Sequence, residues 1–192
     1  MSLIPAFEIG LWNAWIFMVC SLIPVIFLFM PLVSRGRKGK TAFTAYFSKM
    51  QKNAFSTTQL IFFILIIYSI FVPLKLGTVW FYVGLSVFLI GFIPYAMLAA
   101  NFVTTPLDKP VTRGIYRYSR HPMYLTMFLM LLGAGIASAS WIFLLLSVVD
   151  IIMPPLFVEA EERYCLDKYG DAYREYMNRT PRWIGIPKSM AK

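Results

Sequence analysis

Five long apolar runs, separated by short polar and mostly basic segments, leave this chain few folds to choose from. The runs cover about residues 12–33, 56–73, 78–100, 122–139 and 141–157. At about 1.5 Å per residue the first reaches roughly 33 Å, enough to cross a hydrocarbon core of about 30 Å. In lipid every backbone N–H and C=O must be paired within the structure, and continuous apolarity over such lengths excludes barrel strands. The expected fold is therefore all-α, a polytopic transmembrane bundle of five spans forming one membrane domain over 1–192. The links Leu74–Gly77 and Ala137–Ser140 are too short for anything but antiparallel helical hairpins. Gly133, Ala134, Gly135 and Ala137 in run four predict close helix packing. Pro154-Pro155 predicts a kink in run five.

Lysine and arginine set the orientation. Seventeen of the 18 lie between runs one and two, between runs three and four, or after run five; only Lys75 lies elsewhere. Basic loops stay in the cytoplasm, so the N-terminus is expected outside and the C-terminus inside, an arrangement that an odd number of spans satisfies. The chain is 59% hydrophobic and 14% charged, with a mean hydropathy of +0.67, too apolar for a water-solvated domain. The net charge of +9 is accounted for by orientation and anionic headgroups rather than by nucleic acid, which would need a soluble module. No cleavable signal and no prenylation box are expected. Cys20 and Cys165 fall in different environments, so neither a disulfide nor CxxC chemistry is expected, and no metal site is read from the sequence.

Polar residues gather in two segments that this topology brings to the cytoplasmic face. The first, 101–124, is rich in turn formers, tyrosines and arginines, and His121-Pro122 opens the fourth helix. A proline-initiated helix start beside arginines suits a carboxylate or phosphate; a positively charged interfacial loop with an aromatic belt would look the same. The second, 158–185, places Leu166, Tyr169, Tyr173, Tyr176 and Met177 at helical spacing, as in an amphipathic surface helix breaking at Gly170. Glu161 and Glu162 do nothing for orientation and suit a cation such as an ammonium group. Asp150, an acid inside run five, is a functional candidate by its depth, with a helix–helix hydrogen bond as the structural alternative.

The stretch RGIYRYSRHPMY (113–124), a helical hairpin, and then EAEERYCLDKYGDAYREYMNRTPRWIG (159–185) resembles the isoprenylcysteine carboxyl methyltransferase family, most closely its prokaryotic integral membrane members. The shared elements are the RHPxY box, the paired glutamates after the last span, the YGxxYxxY helix and the closing PRWIG. The resemblance implies an S-adenosylmethionine-dependent methyltransferase without a Rossmann domain, in a multi-pass membrane location with a cytoplasmic active site. A prokaryotic cell membrane fits best. It implies a cofactor site made by Lys109, Pro110, Val111, Tyr116, His121, Pro122, Met123, Tyr124 and Glu161. The acceptor would be lipophilic and enter from the bilayer, among membrane lipids and with no obligatory protein partner. A carboxylate acceptor is already ionised at neutral pH and needs no general base.

One position departs from the family pattern. Eukaryotic members carry an arginine four residues before the first aligned glutamate, where this chain has Phe157. Phe157, Glu162 and Asp150 are therefore the substrate-side candidates. The acceptor is expected to be the carboxylate of an isoprenoid-linked or lipid-like molecule, with a phospholipid amine as the alternative. Two competing readings are an NADPH-dependent sterol or isoprenoid reductase and a non-catalytic membrane scaffold.

Overall fold

The computed structural model describes residues 7–34 and 44–187, with the backbone alone at 25 and 27–34. The basic residues Arg35, Arg37, Lys38, Lys40, Lys188 and Lys192, which the orientation argument uses, lie outside the described residues. Among the described residues there are seven α-helices and no strand. They are α1 (Trp15–Ser34), α2 (Lys49–Ser69), α3 (Val79–Thr104), α4 (Pro122–Ala137), α5 (Trp141–Ile152), α6 (Val158–Tyr169) and α7 (Asp171–Arg179). Short 3-10 turns at Gly114–Arg117 and Pro154–Leu156 complete the path.

Helices α3 and α4 make the most extensive pair. Glycine decides how close they come. A Cβ on Gly84 would sit 2.2 Å from the Ala137 nitrogen, and one on Gly133 would sit 2.4 Å from that of Phe88. Both neighbours are backbone and cannot give way. Gly135 makes similar room for Leu144 of α5. The small residues of run four thus do what their spacing predicts. Between the helices lies an apolar core including Phe17, Leu65, Phe88, Met130, Leu131 and Phe143.

One end of the bundle is knitted by backbone bonds. Ala14 N donates to Val72 O at 2.9 Å, Leu74 N to Trp12 O at 2.9 Å, and Lys75 N to Ala137 O at 3.0 Å. The hydroxyls of Tyr68 and Ser140 meet there at 3.0 Å. The segment before α1 and both hairpin turns therefore share one end. The glutamates, the RHPMY box and the C-terminal helices occupy the other.

Two boundaries differ from the sequence reading. Helix α2 begins at Lys49, ahead of the apolar run, because Ser48 and Gln51 form a reciprocal capping box: Gln51 N donates to Ser48 Oγ at 3.3 Å and Ser48 N to Gln51 Oε1 at 2.9 Å. Run five is not one helix to 157. It ends at Ile152, turns through Pro154-Pro155, and continues as α6 bent by 43°. Proline supplies no N–H for the helical ladder, which is why the break falls there. The surface helix breaks at Gly170, with φ of +56°, as its sequence predicts. Among the described residues, α3 is long and apolar enough to cross a membrane, and the bent pair α5–α6 would supply a second crossing if taken as one span. Helix α5 by itself reaches only about 18 Å and α4 about 24 Å. The five-span count is thus not a property of helix length.

A cavity of about 320 Å³ lies between α1 and α2, lined by apolar residues such as Trp15, Met18, Leu22 and Ile66. It contains no titratable group and is remote from the polar end.

Candidate active site

The site is assembled where α4 begins and α6 passes beside it. His121 is 8% exposed. Its Nε2 lies 3.1 Å from Glu162 Oε1, and its Nδ1 lies 3.5 Å from Glu161 Oε2. An ionised carboxylate only accepts hydrogen bonds, so the arrangement suits an imidazolium that donates from both nitrogens. Burial alone would lower the His121 pKa, but the two carboxylates outweigh it and raise the value. The Tyr124 hydroxyl donates to Glu161 Oε1 at 2.6 Å, one helical turn into α4 from the histidine.

The two glutamates have different surroundings. Glu162 is 2% exposed and holds three cations. Besides His121 it takes Arg182 Nη2 at 2.6 Å on one oxygen, with Arg182 Nε at 3.2 Å and Arg120 Nη1 at 3.3 Å on the other. Burial would raise its pKa; the bonds from His121 and Arg182, with the charge of Arg120, prevail and hold it at about 2. Glu161 is more open and keeps only the His121 and Tyr124 contacts. Glu162 is thus spent on its three cations, whereas Glu161 has capacity left for a further one.

The C-terminal segment closes the site. Arg120 N donates to Pro181 O at 3.0 Å and Gly185 N to Tyr118 O at 3.1 Å, so 181–185 runs alongside 118–120. The ring of Trp183 comes to 6.0 Å from that of His121. From α7 the buried Tyr176 hydroxyl reaches Tyr116 O at 2.7 Å and Ser119 O at 3.3 Å, pinning the loop ahead of the box. Ser119 Oγ in turn accepts His121 N at 3.1 Å.

Of the residues anticipated for the cofactor, His121, Tyr124 and Glu161 come into direct contact. Val111 and Tyr116 are buried with Leu98, Tyr173 and Tyr176 in an apolar cluster under the box, and Met123 packs against it. Pro122 is buried as the first residue of α4. Lys109 is exposed and Pro110 half-buried beside Val111. On the substrate side, Phe157 is fully buried, with ring centroids 5.7 Å from Tyr124, 5.4 Å from Phe55 and 5.8 Å from Phe47. Glu162 belongs to the ion-pair knot. Asp150 is buried one element away, on α5. Sequence reasoning missed Arg182, Trp183 and the pinning role of Tyr176; the PRWIG and YGxxYxxY strings contained them without indicating what they touch.

Residues 74–172, just over half the chain, match the family described as phospholipid methyltransferase. The chain belongs to this family. The match spans α3 to the start of α7 and so contains both glutamates and the RHPMY box. Protein-S-isoprenylcysteine O-methyltransferase of Schizosaccharomyces pombe is 34% identical over 80 residues, which is 40% of this chain. The chain spans about a third (32%) of the length of that curated relative. The two findings support the isoprenylcysteine methyltransferase-like family that the motifs of 113–185 resemble. In this phospholipid methyltransferase family member the knot around Glu162 extends beyond the matched region, through Arg182.

Proposed function

We propose that this chain is an S-adenosylmethionine-dependent methyltransferase acting on a lipophilic acceptor that reaches the site from the bilayer. The observation that carries it is the cluster of His121, Glu161 and Tyr124 at the mouth of α4, inside the region of the family match. The donor set fits the cofactor's three chemical parts. Glu161 suits the ammonium. Arg120 Nε is buried without a partner among the described residues and suits the carboxylate, as does the α4 start, which has no side-chain cap. The rings of Tyr124, His121 and Trp183 suit the adenine and the sulfonium.

When bound, the cofactor supplies an electrophilic methyl group. The residues here bind, orient and exclude water. Glu162, with Arg120 and Arg182, holds His121; His121 and Tyr124 fix the Glu161 carboxylate; Trp183 and the 181–185 segment cover the assembly. The acceptor side is formed by Phe157, Phe47, Phe55 and Asp150. A carboxylate of an isoprenoid-linked molecule would react there without a base, whereas a phospholipid amine would require one.

The reading includes five crossings with the N-terminus outside, a multi-pass location in a prokaryotic cell membrane, and a cytoplasmic site. Supporting it are the outward apolar side chains of α3 (Val79, Val83, Ile90, Ile93) and α5 (Leu145, Val148, Ile152), and the charged α6 and α7 at the box end.

Calorimetry on detergent-purified protein tests the cofactor. S-adenosylmethionine and S-adenosylhomocysteine should bind in the micromolar range, and Glu161→Ala and His121→Ala should each weaken this. Binding of NADPH instead would establish a reductase; no binding of either nucleotide by folded protein would leave a scaffold.

A further inference from the structure

The segment that closes the site carries an apolar edge that no other described residue covers. It is held to the loop before α4 by Arg120 N to Pro181 O at 3.0 Å, Ser119 Oγ to Arg182 O at 3.3 Å and Gly185 N to Tyr118 O at 3.1 Å. Between these bonds it bends at 182–184 and brings Gly185 back against the Pro181 ring. The bend sends Trp183 onto the His121 ring. It leaves Ile184 and Ile186 77% and 90% exposed, and Tyr118, to whose carbonyl the segment is bonded, is exposed as well. Arg113 and Arg117 on the same loop are exposed and form no salt bridge among the described residues.

The opposite end of the bundle sets the level of this edge. There Trp12, Trp80 and Trp141 are exposed, as tryptophan is at a membrane–water interface. From Trp80 to Leu98, α3 rises about 27 Å, close to a hydrocarbon thickness of about 30 Å. Leu98 packs with Val111 and Tyr116, and Met123 of α4 packs on the same cluster. The box and the segment on it therefore lie where acyl chains give way to headgroups. One exposed isoleucine is ordinary on any protein surface. Two of them beside the residue that covers the histidine, with a tyrosine and two unpaired arginines, have the composition of an interfacial anchor. The arginines complement the phosphates of anionic lipid.

We propose that this edge is a lipid-seated latch. Ile184 and Ile186 insert among the headgroups of an anionic leaflet, Arg113 and Arg117 take its phosphates, and the contact holds Trp183 down on His121. The bilayer then regulates the site. Beside an anionic leaflet the segment stays shut and a bound cofactor leaves slowly. Beside a zwitterionic leaflet it is held by its own few bonds, of which the Arg182–Glu162 pair is 40% exposed on the arginine side, and it opens more readily. The latch rests on the methyltransferase reading for the cofactor it retains, but its lipid contact is a separate claim. A second copy of this chain suits the edge less well, because a two-fold contact there would bring the same arginines together.

The test uses the full chain, without cofactor, in nanodiscs of phosphatidylcholine alone or of phosphatidylcholine mixed with phosphatidylglycerol. Hydrogen exchange mapped by peptide mass spectrometry should show the amides of 182–186 slowed about tenfold by the anionic lipid, with those of α3 unchanged. Ile184→Ser with Ile186→Ser should remove the slowing, and so should Arg113→Gln with Arg117→Gln. All four side chains are exposed, and parent-like exchange in α3 checks that each variant is folded. In a second measurement, S-adenosylhomocysteine should dissociate about tenfold more slowly from the anionic discs, and equally fast from both in the isoleucine variant. Amides of 182–186 that ignore the lipid, or slowing that survives either pair of substitutions, overturn the latch. So does protection that rises with protein concentration in lipid-free detergent, which would assign the edge to a second copy. Failure of S-adenosylhomocysteine to bind would sink the methyltransferase reading alone, because hydrogen exchange is read without the cofactor.

Discussion

The ring of His121 and the carboxylate of Glu162 lie 41 residues apart in sequence and meet at 3.1 Å. Through this contact the start of α4 is held to α6, and through Arg182 on the same carboxylate the C-terminal segment is held to both. Glu162 is a positioning residue on this geometry: removing it would leave the fold's polar end unfastened before any ligand is considered.

Glu162→Ala should therefore be strongly destabilising. It strands Arg120 and His121 as buried cations, and breaking a buried pair from one side costs about 3–5 kcal/mol. Arg182→Ala should cost only about 1 kcal/mol, since the Arg182 side chain is 40% exposed and water replaces much of the loss. Thermal unfolding in detergent measures both. Equal losses would show that the strap, rather than the buried carboxylate, carries the stability.

The pH dependence of stability should have two flanks. The Glu162 pKa is lowered from 4.5 to about 2, so its contribution is complete above about pH 4.5 and is lost as pH falls toward 2. The His121 pKa is raised from 6.5, so its contribution is complete below that value and fades as pH rises through the folded-state pKa. Melting temperatures across pH should fall on both sides, and His121→Asn should flatten the alkaline flank and also weaken the acid one, because His121 helps hold the Glu162 pKa down. An unchanged alkaline flank in that variant would mean that the ring is neutral in the native state.

Gly133→Ala should cost at least about 1–3 kcal/mol, because its new Cβ meets the Phe88 backbone at 2.4 Å and the overpacked helices must separate. Gly77→Ala is the control. Nothing lies within 4 Å of its Cβ, and only its φ of +72° opposes the change, at about 1 kcal/mol. A Gly133→Ala variant as stable as the parent would contradict the close approach of α3 and α4.

Tyr176→Phe removes the hydroxyl that reaches Tyr116 O and Ser119 O. About 1–2 kcal/mol of stability should go with it. The larger effect should fall on cofactor affinity measured by calorimetry, because the loop leading to His121 loses its anchor. Stability loss with unaltered affinity would confine Tyr176 to the apolar cluster.

Much of the helical layout was legible because its signals are local. Helix-length apolar runs, four-residue links, the Pro154-Pro155 break, the Gly170 break and the small residues of run four each act within a few neighbours. The i,i+4 pairs Glu159–Arg163 and Glu175–Arg179, equally local, form at 3.3 and 2.9 Å. The early start of α2 was also written locally, in the Ser48-x-x-Gln51 box, but apolarity drew attention away from it. The number of crossings was less legible, because α4 and α5 are shorter than the runs that contain them.

What the sequence determined by itself was the all-α class, the order and approximate extent of the apolar helices, and the two polar segments that hold the site. Those follow from periodicity, propensity and solvent, which act along the chain. Tertiary structure alone decided that Glu162 is spent on Arg120, His121 and Arg182 while Glu161 stays open, that Trp183 covers the histidine, and that Asp150 is buried with one oxygen unmatched among the described residues. Adjacent glutamates on a helix point about 100° apart, so which becomes a buried anchor and which remains available depends on what packs against each face, and no local pattern contains that.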